Sequence, residues 1–331
     1  MKEPTLLECP VCQTKKEESA FIETYISPFN NQEYKLYHCE TCDLQWWEPL
    51  KIIPEFYEGE GEEGYKTFHL GLREEIGENH KMFFEYFPLK SGKLLDVGCG
   101  DGVFLKEAQK AGFEVWGIDF DSKSIRVCQE KWGLKNTFAM SPQEFAKFCQ
   151  KEGLKFDVIT FFEVLEHQDR PVEFLEAIKS MLKPGGYIAG SVPNRDSWMW
   201  RMSGRKISKG DFPPHHFLRF SKEALAVFIK KMGFIEIFIK PTPVKISEVA
   251  FYFQLLITGE RINRFLRKTI TTHELAGEGT SIYKKLPTWR KAIFKGLKGL
   301  RFGIFLFPAL VVKYVSEGML LYFQSRSKHG K

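Results

Sequence analysis

The amino terminus has no apolar run: Met1-Lys2-Glu3-Pro4-Thr5 opens a polar stretch, so a secretory signal is not expected. The apolar segment Phe302–Val312 has 11 uncharged residues, too few for a bilayer span, which needs about 20. Internal repeats and low-complexity tracts are absent. Charge is short of any extreme: 48 Lys and Arg against 42 Asp and Glu leave a net +6 over 331 residues. That balance permits anionic partners without pointing to nucleic acid. Residues 1–50 contain no Arg and more acidic residues than Lys, which counts against a nucleic-acid grip there. With no export signal, the seven cysteines are not expected to form a disulfide framework. Cys99, Cys128 and Cys149 read as small buried residues of a reduced, cytoplasmic protein.

What is abundant is phenylalanine, 31 residues, enough to carry much of a core or of a substrate- or lipid-facing surface. Four regions separate by composition: 1–50, with paired cysteines and β-prone stretches; 51–92, an acidic, Gly-punctuated connector turning helical near 78–87; 93–246; and 247–331. In 93–246, short apolar runs alternate with amphipathic segments, the pattern of βαβ units and a parallel sheet. The spacing predicts strands at 93–97, 114–118, 136–139, 157–161, 186–192 and 234–239. Helices are predicted at 103–111, 122–131, 142–150, 171–182 and 221–232, with Asp121 or Ser122 and Ser221 as N-caps and Gly112, Gly133 and Gly233 just past helix ends.

The run Leu94-Leu95-Asp96-Val97-Gly98-Cys99-Gly100-Asp101-Gly102 reads as a buried strand turning into a helix. Glycine is needed there so that the backbone turns tightly and a ligand can approach, with the helix N-terminus facing it. Gly98, Cys99, Gly100 and Gly102 would line the amino-acid end of an adenosylmethionine ligand, with Asp96 near its ammonium group. Asp119, about 20 residues downstream at the tip of the second strand, suits a ribose diol. Phe120 would lie against the adenine, Ser141 near its edge, and Phe161 at the end of the fourth strand completes the set. A nicotinamide fingerprint, G-x-G-x-x-G, wants glycine where Val103 stands.

Beyond the loop stand Phe156-Asp157-Val158-Ile159-Thr160, Glu163-Val164-Leu165-Glu166-His167 and Leu182-Lys183-Pro184-Gly185-Gly186-Tyr187. On these motifs, 93–240 resembles the class I S-adenosylmethionine-dependent methyltransferases, within the group that includes ubiquinone-biosynthesis O-methyltransferases. The resemblance implies an α/β, Rossmann-like doubly wound sheet of seven strands ending in an antiparallel hairpin. Val244–Val249 is the expected seventh strand, and a mostly helical extension is expected to follow. Methyl transfer needs an aligned nucleophile and, for a hydroxyl, a base. His167, His216 and Glu163 are the catalytic candidates at the functional edge, close to Pro193-Asn194-Arg195 and Pro213-Pro214-His215-His216-Phe217. Glu163-x-x-Glu166-His167 with His216 also resembles the divalent-metal set of small-RNA 2′-O-methyltransferases.

Cys9-Pro10-Val11-Cys12 and Cys39-Glu40-Thr41-Cys42, 26 residues apart, have the spacing of a structural Zn²⁺ ribbon. A ribbon followed by Trp46-Trp47-Glu48-Pro49 and Phe56-Tyr57 resembles bacterial methyltransferases of sugar and polysaccharide pathways. From Lys284 to Ser316 there are eight Lys or Arg and no acidic residue, flanking Phe302–Val312. That stretch reads either as an interfacial anchor on the inner face of the membrane or as a packing helix. Three functions compete: methylation of a small, sugar or lipid-linked acceptor in envelope or isoprenoid metabolism; RNA methylation, with the ribbon and tail as the grip; and a non-catalytic binding protein retaining the fold.

Overall fold

A computed structural model describes residues 7–16, 20–53, 56, 70–203, 212–246, 249, 310–313 and 317–328. The Gly-punctuated part of the connector and the basic apolar stretch up to residue 309 lie outside them, as does nearly all of the expected helical extension.

The amino-terminal part contributes β1 (Leu7–Glu8), β2 (Lys15–Lys16), β3 (Phe21–Ile26), β4 (Glu33–His38) and β5 (Gln45–Glu48). After α1 (Glu78–Tyr86) strands and helices alternate: β6 (Gly92–Val97), α2 (Val103–Lys110), β7 (Phe113–Asp119), α3 (Ser122–Trp132), β8 (Thr137–Ala139), α4 (Pro142–Glu152), β9 (Phe156–Phe162), α5 (Pro171–Met181) and β10 (Leu182–Pro193). Then come α6 (Trp198–Ser203), β11 (Leu218–Arg219), α7 (Lys222–Lys231), β12 (Phe234–Pro241) and β13 (Leu320–Ser327).

Seven strands form one sheet in the order β12-β13-β10-β9-β6-β7-β8. The five strands from β10 to β8 run parallel, while β13 is antiparallel to both β10 and β12. Successive side chains point to opposite faces of a strand. Leu95 and Val97 accordingly join Phe145, Phe174 and Phe228 on one face, while Leu94 joins Phe83, Phe104 and Ile125 on the other. Helices start where the sequence offers oxygen acceptors. Asp121 accepts from the amides of Lys123 and Ser124, and Ser221 from that of Ala224.

The seventh strand corrects the sequence expectation. Residues 244–246 and 249 form no strand; the sheet is completed by Leu320–Ser327, far along the chain. Its short run Leu321-Tyr322-Phe323 is wholly buried between two neighbours. Period alone did not single out a strand flanked by polar residues and lying far from its partners. A methyltransferase unit closed at 246 would therefore lack a strand from the interior of its sheet. The amino-terminal sheet likewise extends past residue 50, because its order is β11-β5-β4-β3 and β11 comes from residues 218–219.

Candidate functional site

The loop after β6 passes through three left-handed glycines, Gly98, Gly100 and Gly102, with φ of 75°, 52° and 78°. At Gly98 a Cβ would stand 2.5 Å from Val164 Cγ2, so the loop and the turn after β9 touch through glycine alone. Two carboxylates flank the loop. Asp96, buried under it, accepts a 2.7 Å bond from Thr160 Oγ1, and burial pushes its carboxyl up to about 7. Asp119 accepts from the amides of Gly100 and Asp121, both at 2.9 Å, and burial pushes it to about 6. A carboxylate offers about four lone-pair positions, so Asp119 keeps capacity for a diol. Phe120, 56 % exposed, stands beside it. The donor and acceptor set thus fits a ligand with an ammonium group, a vicinal diol and a flat base.

Three of the predicted contact residues are engaged within the protein. Phe161 is fully buried, its ring 5.4 Å from both Phe174 and Phe323, and presents no surface to a ligand. Its neighbour Phe162, on the opposite face, packs edge-on against His80. Ser141 caps α4 in a reciprocal box with Glu144, which occupies its hydroxyl. Cys99 is buried, so only its backbone borders the loop.

The sequence reading missed Arg73 and His80. Arg73 grips the fully buried Asp101 of the glycine loop through Nε (3.2 Å to both oxygens) and Nη2 (2.8 Å). His80 stacks on Phe104 at 5.1 Å, and burial drives its imidazole down to about 3. The preceding Asn79 donates to Ser191 Oγ at 2.9 Å, seating the start of α1 at the carboxyl end of the sheet. An acidic residue inside a glycine loop needs a counter-charge, and that was the available signal for Arg73.

Beyond β9, Glu163 turns through a left-handed φ of 57° and its side chain is exposed. The turn instead carries Glu166 inward, with no exposure, toward His167, His215 and His216. Glu166 Oε1 lies 3.9 Å from Nε2 of both His167 and His216. The three imidazoles place ligand atoms within 4.8 Å of one another. His167 Nδ1 meets the His215 carbonyl at 2.6 Å, and His215 stacks on His216 at 4.2 Å. Burial, reinforced by the neighbouring imidazoles, holds His167 well below the usual histidine range. The structure thus brings together two of the three catalytic candidates, His167 and His216, with Glu166 and His215 beside them, while the Glu163 side chain stays exposed. Such a cluster can accept a proton or hold a divalent cation.

Cys9, Cys12, Cys39 and Cys42 converge, with Sγ separations of 3.7 Å for Cys9–Cys42 and 3.4 Å for Cys12–Cys39. Four sulfurs about 2.3 Å from a tetrahedral ion stand about 3.8 Å apart. The bond to Cys42 holds the Cys9 thiol below its ordinary value and pushes that of Cys42 up.

Comparisons agree with this geometry. A family model described as a methyltransferase domain matches residues 68–235. The ubiquinone biosynthesis O-methyltransferase of Paraburkholderia phymatum is 31 % identical over 169 residues, 48 % of this chain and 72 % of that protein. The one from Paraburkholderia phytofirmans is 32 % identical over 146 residues, 41 % of this chain and 62 % of that protein. Among solved structures, a complex of the Haloferax volcanii Trm112 methyltransferase activator with a methyltransferase matches at TM-score 0.51 and 13 % identity. That match covers 85 % of this chain and 99 % of the matched one, a likeness of fold. With the cofactor loop, the sheet order and these matches in agreement, the chain belongs to the methyltransferase domain family and is an S-adenosylmethionine-dependent methyltransferase.

Proposed function

We propose that the chain transfers a methyl group from S-adenosylmethionine to a hydroxyl of a small, sugar or lipid-linked acceptor. The observation that supports this reading is the close approach of Val164 to Gly98, which brings the turn bearing Glu166 and His167 up to the cofactor loop. In this reading Gly98, Gly100 and Gly102 cradle the ligand, Asp119 takes the ribose diol, Phe120 the adenine, and Asp96 with the Arg73–Asp101 pair the amino-acid end. When bound, the sulfonium supplies the electrophilic methyl carbon. His216, whose Nε2 lies 3.9 Å from Glu166 Oε1, takes the acceptor's proton. The O-methyltransferase names of the relatives support a hydroxyl and an isoprenoid-type acceptor. The four thiolates hold a structural zinc ion, as the near-tetrahedral sulfur spacing supports.

A second reading is favoured by the three imidazoles: the cluster holds a divalent cation that grips the acceptor's oxygens. RNA is the competing acceptor. Among the described residues no helix is long and apolar enough to cross a membrane, and peripheral contact through the basic stretch would bring a lipid-linked acceptor to the site. Labelled S-adenosylmethionine incubated with separate lipid, nucleotide-sugar and RNA fractions, with and without chelator, tests these readings. Label in the lipid or sugar fraction is expected; label in RNA alone overturns the proposal.

A further inference from the structure

The cysteine ribbon is joined to the histidine cluster by a continuous set of hydrogen bonds. Asp43 follows Cys42 in the left-handed region (φ 59°), and its amide donates to the Cys39 carbonyl at 2.7 Å, closing the second knuckle. Its carboxylate reaches outside the ribbon. It accepts from Arg195 Nη2 at 2.6 Å, from the Ser221 hydroxyl, and from His38 Nε2 at 2.8 Å. Arg195 Nη1 also reaches the Asp43 carbonyl at 2.5 Å.

Arg195 follows β10, and Ser221 caps α7, so this one carboxylate spans the functional edge. The Arg195 amide donates to the Phe220 carbonyl at 2.9 Å, tying down the segment that bears His215 and His216. The same segment continues into β11, which pairs with β5 as Leu218↔Trp46 and Arg219↔Gln45. The Trp47 amide donates to the Phe217 carbonyl, and the Phe217 amide to the Glu166 carbonyl, both at 3.0 Å. At the far end of α7, Lys231 Nζ donates to the Cys12 carbonyl at 2.7 Å. Both knuckles are therefore docked on α7, one at each end.

We propose that Asp43 is a positioning residue of the active site. Through Arg195 and Ser221 it holds the segment carrying His215 and His216 against His167 and Glu166, so that the ribbon forms part of the acceptor wall. The inference rests on reading the histidine cluster as the acceptor side. The Arg195 side chain is only 11 % exposed, and its two terminal nitrogens grip the Asp43 carboxylate and carbonyl together, a charge-assisted and directional contact. A ribbon serving only as a folding staple would need no carboxylate aimed at two catalytic-edge elements.

The test uses the full-length chain with Asp43→Asn, which keeps the shape and removes the charge. Zinc content, S-adenosylhomocysteine affinity and the rate at which diethyl pyrocarbonate modifies each histidine are read by mass spectrometry and calorimetry. The expected result is unchanged zinc and unchanged cofactor affinity, with His215 and His216 modified about tenfold faster, the scale of one lost charge-assisted hydrogen bond. His80, packed on Phe104, keeps its wild-type rate and reports on global unfolding. Arg195→Lys, which keeps the charge and loses the fork, gives an intermediate rate. If Asp43→Asn loses its metal, Arg195→Ala, which keeps Asp43 and its amide bond to Cys39, must show the same selective exposure. Wild-type rates at His215 and His216 in a zinc-replete variant overturn the proposal. These rates need no acceptor, so they are read independently of whether the acceptor assignment holds.

Discussion

Binding of the cofactor is expected to be linked to protons, because the two carboxyls proposed to meet it resist ionisation. Burial pushes Asp96 to about 7, against the bond from Thr160, and pushes Asp119 to about 6, against bonds from the Asp121 and Gly100 amides. An ammonium group and a diol are best met by carboxylates, so a ligand carrying both must expel whatever protons are present. Between pH of about 8 and about 5 the ionised fraction falls about 100-fold for Asp96 and about tenfold for Asp119. S-adenosylhomocysteine affinity should then weaken about 1,000-fold, about 4 kcal/mol at 1.36 kcal/mol per pKa unit. The stability of the free protein runs the other way. Each native carboxyl keeps a proton that the unfolded chain releases above its ordinary value of 3.8, so stability is lost as pH rises from there through about 6 for Asp119 and about 7 for Asp96. Titration calorimetry in two buffers of different ionisation enthalpy measures both affinity and proton release. Asp96→Asn, which cannot titrate, should flatten the dependence above pH of about 6. A dissociation constant unchanged within about threefold across the range, with no protons released, would refute the reasoning.

Three further outcomes are expected. Gly98→Ala meets Val164 Cγ2 at 2.5 Å and a φ of 75°; it should cost about 2–4 kcal/mol and abolish S-adenosylhomocysteine binding, read by thermal melts with and without ligand. His216→Gln should cut methyl transfer about 10²–10⁴-fold with cofactor affinity unchanged; full activity in a metal-free assay would remove His216 from catalysis. Replacing Lys295, Lys298 and Arg301 with Glu should weaken co-sedimentation with anionic vesicles by about 1 kcal/mol per charge; unchanged sedimentation would favour a packing role. Cutting the chain near Thr280 cannot test the anchor, because it also removes β13.

Much of the parallel sheet was legible because its strands and helices obey two different periods, and because Asp121, Ser221 and the glycines Gly112, Gly133 and Gly233 mark helix ends by local chemistry. The glycine loop and Asp119 were legible for the same reason: their spacing is dictated by the strand that precedes and the ligand that follows. β13 was not, since its partners Phe234–Pro241 and Leu182–Pro193 are remote in sequence. Period also failed at single residues. Phe161 and Phe162 are adjacent, and only the sheet shows that Phe162 faces His80 while Phe161 faces Phe174. That Glu166 rather than Glu163 is buried beside the imidazoles goes with a left-handed backbone at Glu163, which sequence pattern does not reveal.

The late position of β13 also bears on how the protein is made. As the chain leaves the ribosome, β10 emerges with β9, β6, β7 and β8 already available on one side, yet its other edge finds its partner only once residue 327 is out. Until then the row of backbone groups from Tyr187 to Pro193 is an open template for other chains. Folding of the sheet is therefore completed only after the residues between Pro241 and Leu320 have been synthesised. Stalled or truncated products lacking β13 should be captured by chaperones or aggregate rather than accumulate as half-active enzyme.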